Sequence, residues 1–207
     1  MKSLELLNNL IKINSIKISV NKSFTWASGW NSPIYFDNRI SLSFPKIRKE
    51  ITSRLYKIIT EKYPEVEVIA GVATAGIPQG ALVAEKMNLP FVYVRSKPKS
   101  HGMKNMVEGK LDSNKKVILI EDLISTGGSS INAVETIREN GSNVLSVISI
   151  FNYGFKISKE NFTKINCKYD SIFEYKDLLD LSLNKNYISV IELEKLKNWR
   201  DNPENWK

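Results

Sequence analysis

Residues Val117 to Ser130 read VILIEDLISTGGSS, an apolar run that closes on two acids and passes into serine, threonine and paired glycine. Small residues let successive backbone N–H groups converge on one point. A helix starting just after them adds four unbonded N–H groups and the positive end of its dipole, so the segment suits a phosphate. Glu121 and Asp122, just ahead of it, suit sugar hydroxyls beside that phosphate, because an ionised carboxylate accepts from two adjacent donors. A P-loop needs a Gly-Lys-Ser/Thr ending and a dinucleotide turn needs GxGxxG, and neither occurs. The plainer alternative is an acidic strand end followed by an N-capped helix.

The second chemical feature is a cluster of cations. Arg95, Lys97, Lys99, Lys104 and Lys110 stand close together against Glu108 alone, a surplus of four that is half the chain's formal +8. The same stretch holds His101, the chain's one histidine. Such a concentration suits a small polyanion better than a diffuse surface field. A solvated lysine-rich surface accounts for the remaining lysines.

These residues need a frame. At 207 residues, with 42% hydrophobic and 25% charged, the chain has the make-up of one soluble globular domain, residues 1–207. Its longest apolar runs fall far short of the roughly 20 residues that cross a bilayer. MKSLELLNNLIK has no signal-peptide pattern, and Cys167 alone can form no intrachain disulfide, so a reducing cytoplasm is expected. From Val66 onward short apolar runs alternate with helices, the pattern of a mainly parallel sheet covered on both faces. Strands are expected at Val66 to Ala70, Phe91 to Val94, Val117 to Ile120 and Val144 to Phe151, with helices over Ile77 to Met87 and Ser129 to Asn140. Ahead of them come a helix over Leu4 to Ile11, two short strands around a turn in FTWASGWNSPIYFDNR, and a helix opening at Pro45. Helices over Tyr175 to Asn184 and Ser189 to Asn198 close the chain. Residues 95–116 show neither period, and a loop that long is uncommon unless it is functional or disordered.

EDLISTGGSS resembles the phosphoribosyl pyrophosphate (PRPP) motif of type I phosphoribosyltransferases. FTWASGWNSPIYFDNR is similar to the N-terminal substrate segment of the orotate phosphoribosyltransferases, and YVRSKPKSHG to their mobile catalytic loop. With GVATAGIP these matches run in the family's order from Phe24 to Phe151. The resemblance implies a type I phosphoribosyltransferase α/β fold with residues 1–43 as a small hood and 95–116 as the moving loop. Glu121 and Asp122 would bind the ribose hydroxyls, and the run Leu123, Ile124, Ser125, Thr126, Gly127, Gly128 and Ser129 would lead into and wrap the 5′-phosphate. Ser125 would also touch orotate, as would Tyr35 and Phe36, for each of which a plain core contact is the equal alternative. Arg95, Lys99 and His101 would act catalytically on the pyrophosphate in the neighbouring subunit of a homodimer, with Lys97 in support. Some members carry lysines at the positions of Ala27 and Ala75 and an arginine near Asn152, so this chain lacks three cations found elsewhere in the family.

The implied reaction joins orotate and PRPP into orotidine 5′-monophosphate and pyrophosphate, in pyrimidine biosynthesis. Mg²⁺ would be held mainly by substrate oxygens, with no metal ligand supplied directly by the protein. Two rivals are a transferase for another base, which SGWNSPIYFDNR and KPKSHG disfavour, and a PRPP-sensing regulator that binds nucleic acid. The second needs a reading module, and the roughly 20 residues ahead of Phe24 are too few for a winged helix. Neither a nucleic-acid nor a membrane partner is expected.

Overall fold

The computed structural model describes residues 4–26, 29–97 and 106–206. Six strands form the main sheet: β5 (Val68–Val72), β6 (Phe91–Val94), β7 (Val107–Glu108), β8 (Lys116–Ile124), β9 (Asn143–Asn152) and β10 (Lys168–Glu174), numbered after four shorter strands of the N-terminal segment. Their order is β10-β9-β8-β5-β6-β7, and all neighbours are parallel except β6 and β7. Helices cover both faces. On one face lie α1 (Glu5–Lys12), α2 (Pro45–Lys62), α3 (Gly76–Met87), α6 (Tyr175–Asn184) and α7 (Val190–Asp201), and on the other α4 (Gly128–Glu139) and α5 (Lys156–Lys164). Side chains alternate between two cores with the period of a strand. Ile118 and Ile120 of β8 join Leu55 and Ile59 of α2, whereas Val117 and Leu119 join Val134 and Ile137 of α4.

The expected elements are present with shifted ends, and the shifts place the chemistry. The first strand of the sheet runs over Val68–Val72 rather than from Val66, whose N–H instead closes a turn on the Tyr63 carbonyl. β8 continues past Ile120 through both acids, because the long β9 offers partners to its end: Glu121 faces Ser149, Leu123 faces Phe151 and Ile124 faces Asn152. Residues 95–116 are not wholly irregular. Val107 and Glu108 pair with Val94 and Tyr93, Val107 is buried, and Leu111 packs against the core. Three further elements had no clear period in the sequence. These are β1 (Ile16–Ile18), only three residues long; α5, which buries just Ser158 and Phe162; and the edge strand β10.

The N-terminal segment forms a hood. β1 pairs antiparallel with β4 (Ile34–Phe36), and β2 (Phe24–Thr25) with β3 (Asn31–Ser32). A 3-10 helix over Asn38–Ser43 then leads into α2, which Pro45 opens at a position where its missing N–H costs nothing. Aromatic contacts fix the hood to the body. Trp26 meets Tyr153 at 5.0 Å and Trp199 at 5.9 Å between ring centroids, both edge to face, and Trp199 donates its indole N–H to the Asn31 carbonyl at 3.1 Å. Trp199 lies on α7, so the C-terminal helices anchor the hood.

The N-terminus of α3 is pressed against the end of β8. A Cβ at Gly76 would fall well inside contact distance of the Ile120 carbonyl oxygen and 3.3 Å from Glu121 Cα, and backbone cannot swing aside as a side chain can. Overpacking of this kind costs typically 1–3 kcal/mol. Gly76→Ala is expected to lower the unfolding free energy measured by urea titration by that order and to depress activity beyond the loss of folded protein.

Candidate active site

The parallel strands point their C-terminal ends to one edge of the sheet, and at β8 that edge carries Glu121 and Asp122. Glu121 is turned inward and only 5% exposed. Its Oε1 accepts the Asp122 N–H at 3.0 Å, and its Oε2 accepts the Ser130 hydroxyl at 3.3 Å. Asp122 is only partly buried, and its Oδ1 accepts the Leu123 N–H at 2.8 Å. Burial, followed by the Asp122 charge, holds the Glu121 carboxyl well above the ordinary glutamate value, and burial also raises Asp122. Two acids so close together in a low-dielectric site do not both ionise. The upward shift is the stronger at Glu121, the more deeply buried of the two, while Asp122 faces the open side.

Past Ile124 the chain turns through Ser125, Thr126 and Gly127 into α4. Gly127 has φ +84°, a left-handed conformation, and a Cβ on it would meet the Phe162 ring at 3.0 Å, so glycine is required twice over. The Thr126 carbonyl is held by Asn161 of α5 at 3.3 Å. Glu121, Asp122, Leu123, Ser125, Thr126, Gly127, Gly128, Ser129 and Ser130 line an open cavity of about 370 Å³, into which the first turn of α4 can present N–H groups that no earlier carbonyl takes. Ile124 takes no part through its side chain, which is in the core, but its carbonyl accepts the Tyr153 N–H at 3.0 Å and so fixes where the turn begins.

A second cavity, about 240 Å³, shares Gly128 and Ser129 with the first and reaches Ala73, Arg95 and Ser96. A third, about 230 Å³, shares Ala73, Arg95 and Ser96 with the second and adds Thr74 and Lys97. Sharing these residues, the three cavities adjoin as a trough that runs from the cradle to the GVATAGIP loop and the start of the cationic stretch. Arg95 is held there by Glu108 at 3.3 Å, and its Nε donates to the Lys97 carbonyl at 3.2 Å. Lys99 and His101 lie outside the described residues. A wider cavity, about 600 Å³ between α2 and β10, is a different matter: its Arg54, Lys57 and Lys62 are paired with Glu50, Glu61 and Asp170.

β4 and the residues that follow it come near the acid pair, since the charges of Arg39 and Asp122 act on each other. Phe36 is buried and stacks on Phe151 at 5.3 Å, a core contact, whereas Tyr35 is half-buried with its ring 5.6 Å from Phe24. Asn152 accepts the Gly154 N–H at 2.9 Å, so its carboxamide oxygen serves a turn. Sequence reasoning passed over Asp37 and Arg39. Arg39 forms a two-point pair with Asp37 and lies near enough to Asp122 for its charge to act on it. The available signal was an acid two residues ahead of an arginine, with the acid as N-cap of the 3-10 helix.

Among the described residues no group of three or more His, Cys, Asp or Glu is placed to hold a metal ion. Mg²⁺ takes about six oxygens in octahedral array and commonly uses one or two carboxylates with phosphate oxygens. Held mainly by substrate and water oxygens, such an ion would need no carboxylate cluster from the protein. No helix among the described residues is long and apolar enough to cross a membrane.

A parallel sheet whose central strand ends in paired acids and turns through Ser-Thr-Gly-Gly into a helix defines a type I phosphoribosyltransferase. The phosphoribosyl transferase domain family matches residues 42–177. The chain is 48% identical to the orotate phosphoribosyltransferase of Cytophaga hutchinsonii over 98% of its length and 97% of that protein's. It is 49% identical to the one from Porphyromonas gingivalis over 96% and 95%. The solved structure of Leishmania donovani UMP synthase superposes with a TM-score of 0.81 at 26% identity, covering 96% of this chain and 42% of that one. The chain belongs to the orotate phosphoribosyltransferase family.

The acid pair makes a pH-dependent demand on stability. At the low pH where a free carboxyl is already protonated, folded and unfolded chains hold the same protons. As pH rises, the unfolded chain releases its proton first, so stability falls until the folded pair also titrates. Glu121→Gln removes that loss. Its thermal midpoint is expected to match wild type near pH 4 and exceed it at pH 8, each kcal/mol appearing as roughly 2–4 °C in a chain of this size. Scanning calorimetry at the two pH values is the measurement.

Proposed function

We propose that the protein transfers the 5-phosphoribosyl group of PRPP to a ring nitrogen of orotate, giving orotidine 5′-monophosphate and pyrophosphate. The observation that carries this reading is the trough of adjoining cavities, which begins at a cradle lined by nine residues and ends at Arg95 and Lys97. A 5′-phosphate in the cradle sets the ribose beside Asp122 and sends the diphosphate toward the cations. The bond from the anomeric carbon to the diphosphate breaks as the bond to nitrogen forms. Orotate attacks as an anion, so no base is needed.

The chain then has two tasks: to hold the reacting atoms in line, and to stabilise charge growing on the leaving diphosphate. The cradle and Asp122 serve the first. Arg95, Lys97, Lys99 and His101 serve the second, and closure of their loop would exclude water that hydrolyses PRPP. Tyr35 borders the acceptor, and Ser125 reaches it from the cradle. Mg²⁺, when bound on the diphosphate, supplies neutralising charge. The working form is a homodimer in the cytoplasm whose loops cross into the partner's site, with no nucleic-acid or membrane partner.

Loss of orotate absorbance with PRPP and Mg²⁺ tests the activity, and no loss at any enzyme concentration would overturn it. Asp122→Asn is expected to lower kcat/KM for PRPP by roughly one to two decades, the cost of about 1.5–3 kcal/mol for a charged hydrogen bond, with the fold intact by circular dichroism.

The crossed loop has its own test. Lys99→Ala and Asp122→Asn, each impaired alone, are unfolded together and refolded as a mixture, with each refolded separately as control and all assayed at PRPP well below KM. Random pairing makes about half the dimers mixed, each with one site that has both a sound cradle and a sound loop, so activity should recover to about a quarter of wild type. Loops that served their own chain would leave every site defective.

A further inference from the structure

We propose that Arg39 binds the carboxylate of the acceptor base through the outer edge of its guanidinium, with Asp37 as the positioning residue that aims it. The inference rests on the orotate reading and adds the residue that selects an acidic base over a neutral one.

The geometry of the pair supports this. Nε of Arg39 donates to Asp37 Oδ1 at 2.7 Å and Nη2 donates to Oδ2 at 2.8 Å, a side-on arrangement. A guanidinium has five N–H donors in one plane, and this pairing leaves the edge formed by Nη1 and the second Nη2 hydrogen. No other bond to the Arg39 side chain is recorded among the described residues, and that side chain is 62% exposed. A fork held along one edge and open along the other matches a second carboxylate in two-point fashion.

Asp37 is anchored as a support should be. Its N–H donates to the Ser15 carbonyl at 2.8 Å, its carbonyl accepts the Ser15 hydroxyl at 2.9 Å, and Ser15 is fully buried. Its Oδ1 also accepts the Arg39 N–H at 3.1 Å, closing the N-cap of the 3-10 helix. Two residues of one turn thus hold each other through three hydrogen bonds on a buried anchor. An ordinary exposed pair has no need of such a frame, since it contributes only about 0–1 kcal/mol.

The position is right for the acceptor. The stack of Phe36 on Phe151 brings the end of β4 against β9 where Phe151 faces Leu123, one residue beyond Asp122. The cations lining the trough, Arg95 and Lys97, lie at its diphosphate end. At the ribose end stands Asp122, which would repel an incoming carboxylate, and the nearby Asn152 carries no charge. Arg39 is a cation whose field, among the described residues, reaches Asp122. It offsets that repulsion and gives the acceptor two donors.

The experiment is steady-state kinetics of wild type, Arg39→Gln, Arg39→Lys and Asp37→Asn, varying orotate and PRPP separately, with uracil as the carboxylate-free acceptor and circular dichroism as the check on folding. Arg39→Gln is expected to raise KM for orotate by roughly 10- to 100-fold, the range for one charged hydrogen-bonded contact, and KM for PRPP by less than about twofold. Its preference for orotate over uracil should fall by the same factor. Arg39→Lys should recover only part, because an ammonium cannot serve Asp37 and a substrate carboxylate from one plane. Asp37→Asn should raise KM for orotate by a smaller factor with kcat little changed. Equal rises in both KM values, or an unchanged orotate-to-uracil preference in folded Arg39→Gln, would overturn the proposal and leave the reaction standing. A wild-type enzyme that consumes no orotate would overturn both.

Discussion

Keeping two adjacent carboxyl groups at the buried end of β8 is the constraint around which the fold is arranged. An isolated acid there would cost several kcal/mol, so the neighbours must meet its hydrogen-bonding needs. Glu121 is satisfied by the Asp122 N–H and by Ser130, the latter available because α4 starts immediately after the cradle. β9 must be long enough to pair with β8 up to Ile124, and α3 must begin with a residue lacking a Cβ so that it can close over Ile120 and Glu121. The arrangement makes ionisation costlier at the inner acid than at the outer, and the outer one, Asp122, is the carboxyl a sugar can reach.

The two ends of the site are built differently. The cradle is local: one strand end, one turn and one helix start, contiguous in sequence and braced by Phe162 and Asn161 of α5. The acceptor side is assembled from distant parts. The Ser15 anchor follows α1, Asp37 and Arg39 follow β4, Phe151 comes from β9, and the hood that carries them is fastened by Trp199 near the C-terminus.

That difference explains what could be read from the sequence. VILIEDLISTGGSS declares its role because the geometry it needs is made by neighbours in the chain. Arg39 does not, because its proximity to Asp122 arises only when β4 is laid against β9. α5 and β10 lack a clear period for related reasons. α5 buries one aromatic ring on an otherwise polar helix, and β10 is an edge strand whose outer side meets the charged surface of α2, with Asp170 bonded to Lys62 and Tyr63. The strand limits near Val66 and Ile120 were misplaced because pairing partners, not propensity, decide where a parallel strand stops.

The aromatic fastening of the hood has a spectroscopic consequence. All four tryptophans, Trp26, Trp30, Trp199 and Trp206, belong to the core on the hood's side of the sheet. The opposite core, behind the cradle, holds Phe162 and Tyr169 but no indole. Excited at wavelengths that only indole absorbs, the molecule is labelled on one face. Its emission follows the packing of the hood and the C-terminal helices and is blind to the layer that supports the phosphate, so the native chain already carries a one-sided optical probe of its acceptor end.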